Sequence, residues 1–110
     1  MIKAVFNLNH TGEVVGFLLS GHAGTAESGQ DILCAAVSGA VQCVNVIIED
    51  ALGLTGYFSV HDGEDNEITC DISSLENKTE AKLVLFGFMR TMEEWEKDFP
   101  KNIKLKKISV

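Results

Sequence analysis

The chain opens in an alternating pattern. Ile2, Ala4, Phe6 and Leu8 fall on one side of an extended backbone and Lys3 and Asn7 on the other, which is the period of a half-buried strand. Residues 9–13 bring Asn, Thr and Gly together as a hairpin loop. Residues 14–19 then predict a second strand with Val15, Phe17 and Leu19 inward. Beyond Ser20, residues 21–30 hold Gly21, Gly24 and Gly29 without periodicity and read as a mobile loop. Residues 31–52 predict one long helix, with Ser28 or Asp31 as its cap and Gly53 where a C-terminal cap belongs. Residues 55–62 and 67–72 form strands around Gly63-Glu64-Asp65, a second hairpin. Asn77-Lys78-Thr79-Glu80 has the form of a capping box with Asn77 as the cap. Ala81, Val84, Leu85, Phe88, Met92, Trp95 and Phe99 follow at intervals of three or four, the stripe of a second helix, which Pro100 ends. Residues 103–108 make a last strand. The order ββαββαβ predicts an α/β fold of the α+β type, a mainly antiparallel sheet with two packed helices.

At 110 residues, the chain is near the commonest domain size, so residues 1–110 are expected to be a single domain. Hydrophobic residues at 45% and charged residues at 23% give the balance of a soluble globular protein. Sixteen acids against nine bases leave a net charge of -7, so direct nucleic-acid binding is not expected. The opening MIKAVFNLNH shows no signal peptide. No run is read as approaching the roughly 18 apolar residues of a membrane span. A cytoplasmic protein with reduced thiols is the expectation. The cysteines number three, so a disulfide framework cannot use them all.

Helical geometry sorts those cysteines. At 100° per residue, Asp31, Cys34, Ser38, Gln42, Asn45 and Glu49 fall within roughly 80° of arc, the one broad polar stripe of the first helix. Cys34 stands at its edge. Cys43 lies about 180° away among Ile32, Ala36 and Ile47 and is expected to be a small buried hydrophobe. Cys70, between Ile68 and Ile72 on an alternating strand, is expected in the core as well. Cys34 is thus the thiol placed for chemistry. Its place in the first turn or two of a helix favours an anion such as a thiolate, although Asp31 on the same face opposes this unless it is occupied in capping.

Three histidines could serve as a base. His10 belongs to the first hairpin loop, and His61 ends a strand at a solvated position. His22 leaves a strand between Gly21 and Gly24, and the twelve residues to Cys34 let the loop fold back. A thiolate nucleophile and an imidazole that protonates the leaving amine are the pair cysteine proteolysis requires. Other readings are weaker. The Cys and His residues lack metal-ligand spacing, so no metal or cofactor is expected. Gly21-x-x-Gly24 lacks the rest of a phosphate loop, and the acidic run 93–98 reads as the solvated face of the second helix. From the residues alone, the result is a candidate Cys–His site.

Ser20-Gly21-His22-Ala23-Gly24, followed by Gly29-x-Asp31-Ile32-Leu33-Cys34-Ala35-Ala36-Val37-Ser38, resembles the signature of the ribosomal-processing cysteine protease Prp family. The resemblance extends along the chain, with Leu33 where valine is common. It implies His22 as the catalytic histidine and Cys34 as the nucleophile, and it matches Asp31 and Ser38 to motif positions without giving them a step. It also implies a homodimer that removes a short N-terminal extension from the basic large-subunit ribosomal protein numbered twenty-seven, cutting after a pair of phenylalanines. Backbone N–H groups near Gly21 or the helix start would hold the oxyanion, and residues 23–30 would close over the substrate. An apolar arc covering most of the first helix also calls for the second helix or a partner subunit to cover the remainder. Two rivals stand beside this reading: a non-enzymatic ribosome-associated assembly factor that uses the same loop for binding, and a redox-active Cys34.

Overall fold

In a computed structural model, residues 1–21, 28–61 and 67–110 are described. Strands β1 (Ile2–Leu8) and β2 (Val14–Ser20) form an antiparallel hairpin. Helix α1 (Ser28–Val46) continues into a π-helical turn over Ile47–Ala51. Strands β3 (Phe58–His61) and β4 (Glu67–Asp71) precede helix α2 (Thr79–Asp98), and strand β5 (Ile103–Ser109) ends the order ββαββαβ. The sheet runs β3-β4-β2-β1-β5. Three pairings are antiparallel and one, β1 with β5, is parallel, as a mainly antiparallel α+β sheet requires.

The alternation in β1 is realised: Ile2, Ala4 and Phe6 are buried and Lys3 is exposed. In β2 the alternation is incomplete, because Val14 is buried as well as Val15, Phe17 and Leu19. The cause is a register shift between Asn7 and Leu8, which pairs Leu8 with Val14 and bends the hairpin at that point. Phe6 and Phe17 face each other across β1 and β2, and both meet Phe88 of α2 at centroid separations of 5.6 and 5.1 Å. Side chains of this size each contribute about 1.5–3 kcal/mol when fully buried, so this cluster fixes α2 on the sheet.

Several element ends differ from the sequence expectation. α1 begins at Ser28, so Asp31 lies within its first turn and does not precede the helix. Its regular part ends at Val46, where the π turn widens the backbone. Gly53 does terminate the segment, with φ +69° and the Leu54 N–H donating to the Ile48 carbonyl at 2.9 Å. The strand expected over 55–62 shortens to Phe58–His61, and its hairpin turn lies outside the described residues. Asn77 does not cap α2. It takes φ +59°, Lys78 holds the cap position, and no side chain bonds there. A left-handed Asn is one of the few non-glycine residues that tolerate this turn.

Candidate active site

α1 packs through Leu33, Val37, Val41, Val44 and Ile48, all buried. Ile32 is 72% exposed, and Ala36 and Cys43 are exposed too. The expectation of a buried Cys43 is therefore overturned. The helix is apolar nearly all round, so periodicity could not choose which stripe meets the sheet. Leu33, Val37, Val41, Val44 and Ile48 go inward as one stripe of branched side chains, and Ile32 and Val46 stay outside with the smaller Ala35, Ala36, Gly39 and Cys43. The buried stripe is rotated about 80° from the one opposite the polar residues. The segment Ile32–Ala51 is also long and apolar enough to cross a membrane by length and composition, contrary to the sequence expectation. Its inner face, however, is spent on the sheet.

The same rotation defines the setting of Cys34. The thiol lies about 60° from the middle of the buried stripe, is half-buried and packs against the core. It stands six residues beyond the helix start at Ser28. The unpaired N–H groups of a helix belong to its first turn, where the dipole acts most strongly, so that influence is weaker on Cys34 than a start at Asp31 would give. Ser38 lies one turn on and is exposed. None of the cysteines is in a disulfide. Cys70 is buried as expected, and burial followed by the neighbouring Asp71 carboxylate pushes its thiol up to about 12, which keeps it protonated and unreactive.

β2 delivers Gly21 at the same end of the sheet, with φ +73°. A Cβ at this position would collide with the Met1 carbonyl oxygen, so both the dihedral angle and the space demand glycine. His22, Gly24 and the loop beyond them lie outside the described residues, as do the side chains of Ser28 to Asp31. The other histidines are placed away from Cys34. His10 is in the hairpin at the far end of β2, roughly 20 Å from Gly21 along a seven-residue strand. His61 is exposed and alternates with Phe58 and Val60. Phe58 meets Phe17 on the helix-bearing face, so His61 points to the helix-free face.

Sequence reasoning missed one structural role. The acidic run on α2 is more than a solvated face, because Glu93 pairs with Lys107 of β5 at 3.0 Å and Glu96 accepts the Leu105 N–H. A carboxylate reaching back to the strand that follows its helix has no period to reveal it.

A model of the family described as cysteine protease Prp matches residues 1–104. The chain belongs to the cysteine protease Prp family. Similar relatives include the ribosomal processing cysteine protease Prp of Bacillus subtilis, 31% identical with 96% of each chain covered. The protein of the same description in Staphylococcus aureus is 33% identical over 96% of this chain and 97% of its own. Among solved structures, SMU.848 of Streptococcus mutans aligns with a TM-score of 0.88 at 25% identity, covering 100% of this chain and 96% of that one. The Prp of S. aureus, solved with a covalently linked product peptide, aligns at 0.74 and 29% identity over 98% and 100%. Membership of the Prp family makes this chain a cysteine protease rather than a non-enzymatic binding factor.

Proposed function

We propose that this Prp-family protease processes the precursor of the basic large-subunit ribosomal protein numbered twenty-seven, cutting after a pair of phenylalanines, with Cys34 as nucleophile and His22 as general acid and base. The observation that carries the reading is the setting of Cys34, half-buried near the start of α1, at the sheet end where β2 leads into Gly21-His22. The Cys34 thiolate attacks the scissile carbonyl, forming a C–S bond and a tetrahedral oxyanion. That intermediate collapses as the C–N bond breaks and His22 gives its proton to the departing amine. Water then adds to the thioester while His22 takes its proton. The C–S bond breaks, regenerating the thiolate–imidazolium pair and leaving a carboxylic acid that gives its proton to solvent. Unpaired N–H groups of the first turn of α1, or those near Gly21, suit the oxyanion. Gly24, Asp31 and Ser38 support the site.

The enzyme acts in the cytoplasm as a homodimer. The outer face of α1 supports the dimer: Ile32, Ala35, Ala36, Gly39, Cys43 and Val46 present an exposed, mostly apolar surface. The deciding experiment incubates the protein with a peptide spanning the extension junction. Wild type should cut after the phenylalanine pair, and Cys34→Ala and His22→Ala should abolish cutting while retaining the circular dichroism of the fold. Tight binding of an intact peptide by wild type would sink the reading.

A further inference from the structure

The two edges of the sheet are treated differently. On β5, the Ile103 N–H donates to the Phe99 carbonyl at 3.1 Å and the Leu105 N–H to the Glu96 carboxylate at 2.7 Å, so the end of α2 fills the outer donors over half the strand. β3 has no such cover among the described residues. The Asp71 N–H donates to the Tyr57 carbonyl, and with the register Ser59↔Thr69 and His61↔Glu67 this directs the odd-numbered residues of β3 inward to β4. The N–H and C=O groups of Phe58 and Val60 therefore point outward. Leu19, Ile68 and Val60 lie in one cross-strand row on the helix-bearing face. Exposure rises along it, from 5% at Leu19 through half-buried Ile68 to 65% at Val60.

This row lies at the end of the sheet where β2 leads on to α1. α2 packs on β2, β5 and α1, and α1 joins β2 to the parallel strand β3 across the intervening β4. Ala40 and Ile47 occupy one half-buried flank of α1 and Cys34 the other. A right-handed β2–α1–β3 crossover, the near-universal hand for parallel strands, turns the Cys34 flank toward β4 and β3. The chain joining Val60 to Ile68 carries Asp62, Glu64, Asp65 and Glu67 with no Lys or Arg, a charge that complements a basic protein substrate.

We propose that the outer edge of β3 binds the precursor peptide as an added strand, its backbone pairing with Phe58 and Val60 and an apolar side chain resting on Val60 and Ile68. This rests on the peptidase reading above. Strand addition suits a protease, since main-chain bonds hold the substrate extended and alternate side chains select it. The experiment measures cleavage of the junction peptide and of versions N-methylated at one residue at a time. KM should rise about tenfold at alternate positions, the ratio of about one lost hydrogen bond, and stay unchanged between them. Val60→Pro, which removes an outward N–H at an edge position where proline is tolerated, should raise KM similarly with little change in kcat. Val60→Ser should do so through the lost apolar contact. Unchanged KM in folded Val60→Pro, or N-methyl effects without a period of two, would overturn the strand-addition proposal. Failure of wild type to cut the unmodified peptide would instead overturn the peptidase reading.

Discussion

The Glu96 side chain of α2 accepts the backbone N–H of Leu105 at 2.7 Å, across the outer edge of β5. A helix carboxylate here takes the place of a neighbouring strand. It satisfies a half-buried donor and denies that edge to another chain. Glu96→Ala should cost about 1.5–3 kcal/mol, the range for a hydrogen bond to a charged group, read as a lower urea midpoint. Glu96→Gln, whose amide oxygen can still accept, should lose less. Self-association on concentration should rise in the alanine variant, detectable by light scattering.

Acid should loosen the same side of the molecule. Hydrogen bonding from Lys107 holds the Glu93 carboxyl below the ordinary range; burial, second in size, opposes it, and Arg90 adds to the lowering. Asn9, Lys82 and Thr11 do the same for Glu13. A carboxyl depressed in the folded state contributes stability above its unfolded pKa, about 4.3 for glutamate, and loses it as pH falls through the folded value. The urea midpoint should therefore fall from pH 6 toward pH 3, and the fall should be shallower in Glu93→Gln.

How far the fold could be read from the sequence depended on whether one pattern left one solution. β1 alternates with a single apolar side, so its orientation was legible, and so were the Phe88–Met92 stripe of α2 and the Gly53 stop. α1 is apolar nearly all round, so its periodicity identified a helix without selecting a buried face. Opposition to the polar stripe points Cys43 inside, whereas the packing of Leu33, Val37, Val41, Val44 and Ile48 into the core puts it outside. The capping-box pattern at Asn77 failed because the preceding turn holds that residue left-handed. Cys34 stands out as a candidate because polar neighbours mark its edge, whereas the Glu96–Leu105 bond depends on tertiary contact alone. The open edge of β3 likewise needed the strand order, which hydrophobic pattern does not carry.

The thiols offer a direct check on the corrected orientation of α1. Cys43 is exposed, while Cys70 is 1% exposed with its thiol pushed up by burial to about 12. Brief treatment of the folded protein, kept monomeric by dilution, with iodoacetamide at pH 8, followed by peptide mapping, should modify Cys43 and spare Cys70. Both should react in 6 M guanidinium, on the order of the concentration that unfolds even very stable domains. Native protection of Cys43 in the monomer would contradict the orientation.

Gly21 should tolerate no side chain. Its φ of +73° and its contact with the Met1 carbonyl leave no room for a Cβ. Gly21→Ala should lower stability by more than about 1 kcal/mol and reduce cleavage further than the stability loss alone explains, because the strain lies immediately before His22. Gly39→Ala is the contrasting variant. An added Cβ there meets nothing within 4 Å, and alanine favours a helix over glycine by about 1 kcal/mol, so its thermal midpoint should hold or rise in a chain kept monomeric by dilution.

The exposed face of α1 sets the last prediction. Ile32 and Val46 are 72% and 49% exposed, and they lie on the side of the helix opposite the buried Leu33–Val37–Val41 stripe. An isolated soluble chain gains nothing by presenting large aliphatic groups beside Ala36, Gly39 and Cys43, and a contiguous apolar patch of this kind marks a contact surface. A second copy related by a two-fold axis would bury the same residues on both sides. Sedimentation velocity should give a dimer for wild type, and Ile32→Glu or Val46→Glu should shift it to monomer by placing a charge in the contact. Neither change removes a core side chain, so urea unfolding of the separated monomers should remain cooperative. A wild-type chain that sediments as a monomer at tens of micromolar, about the concentration at which a weak apolar contact forms, would assign this face to another partner.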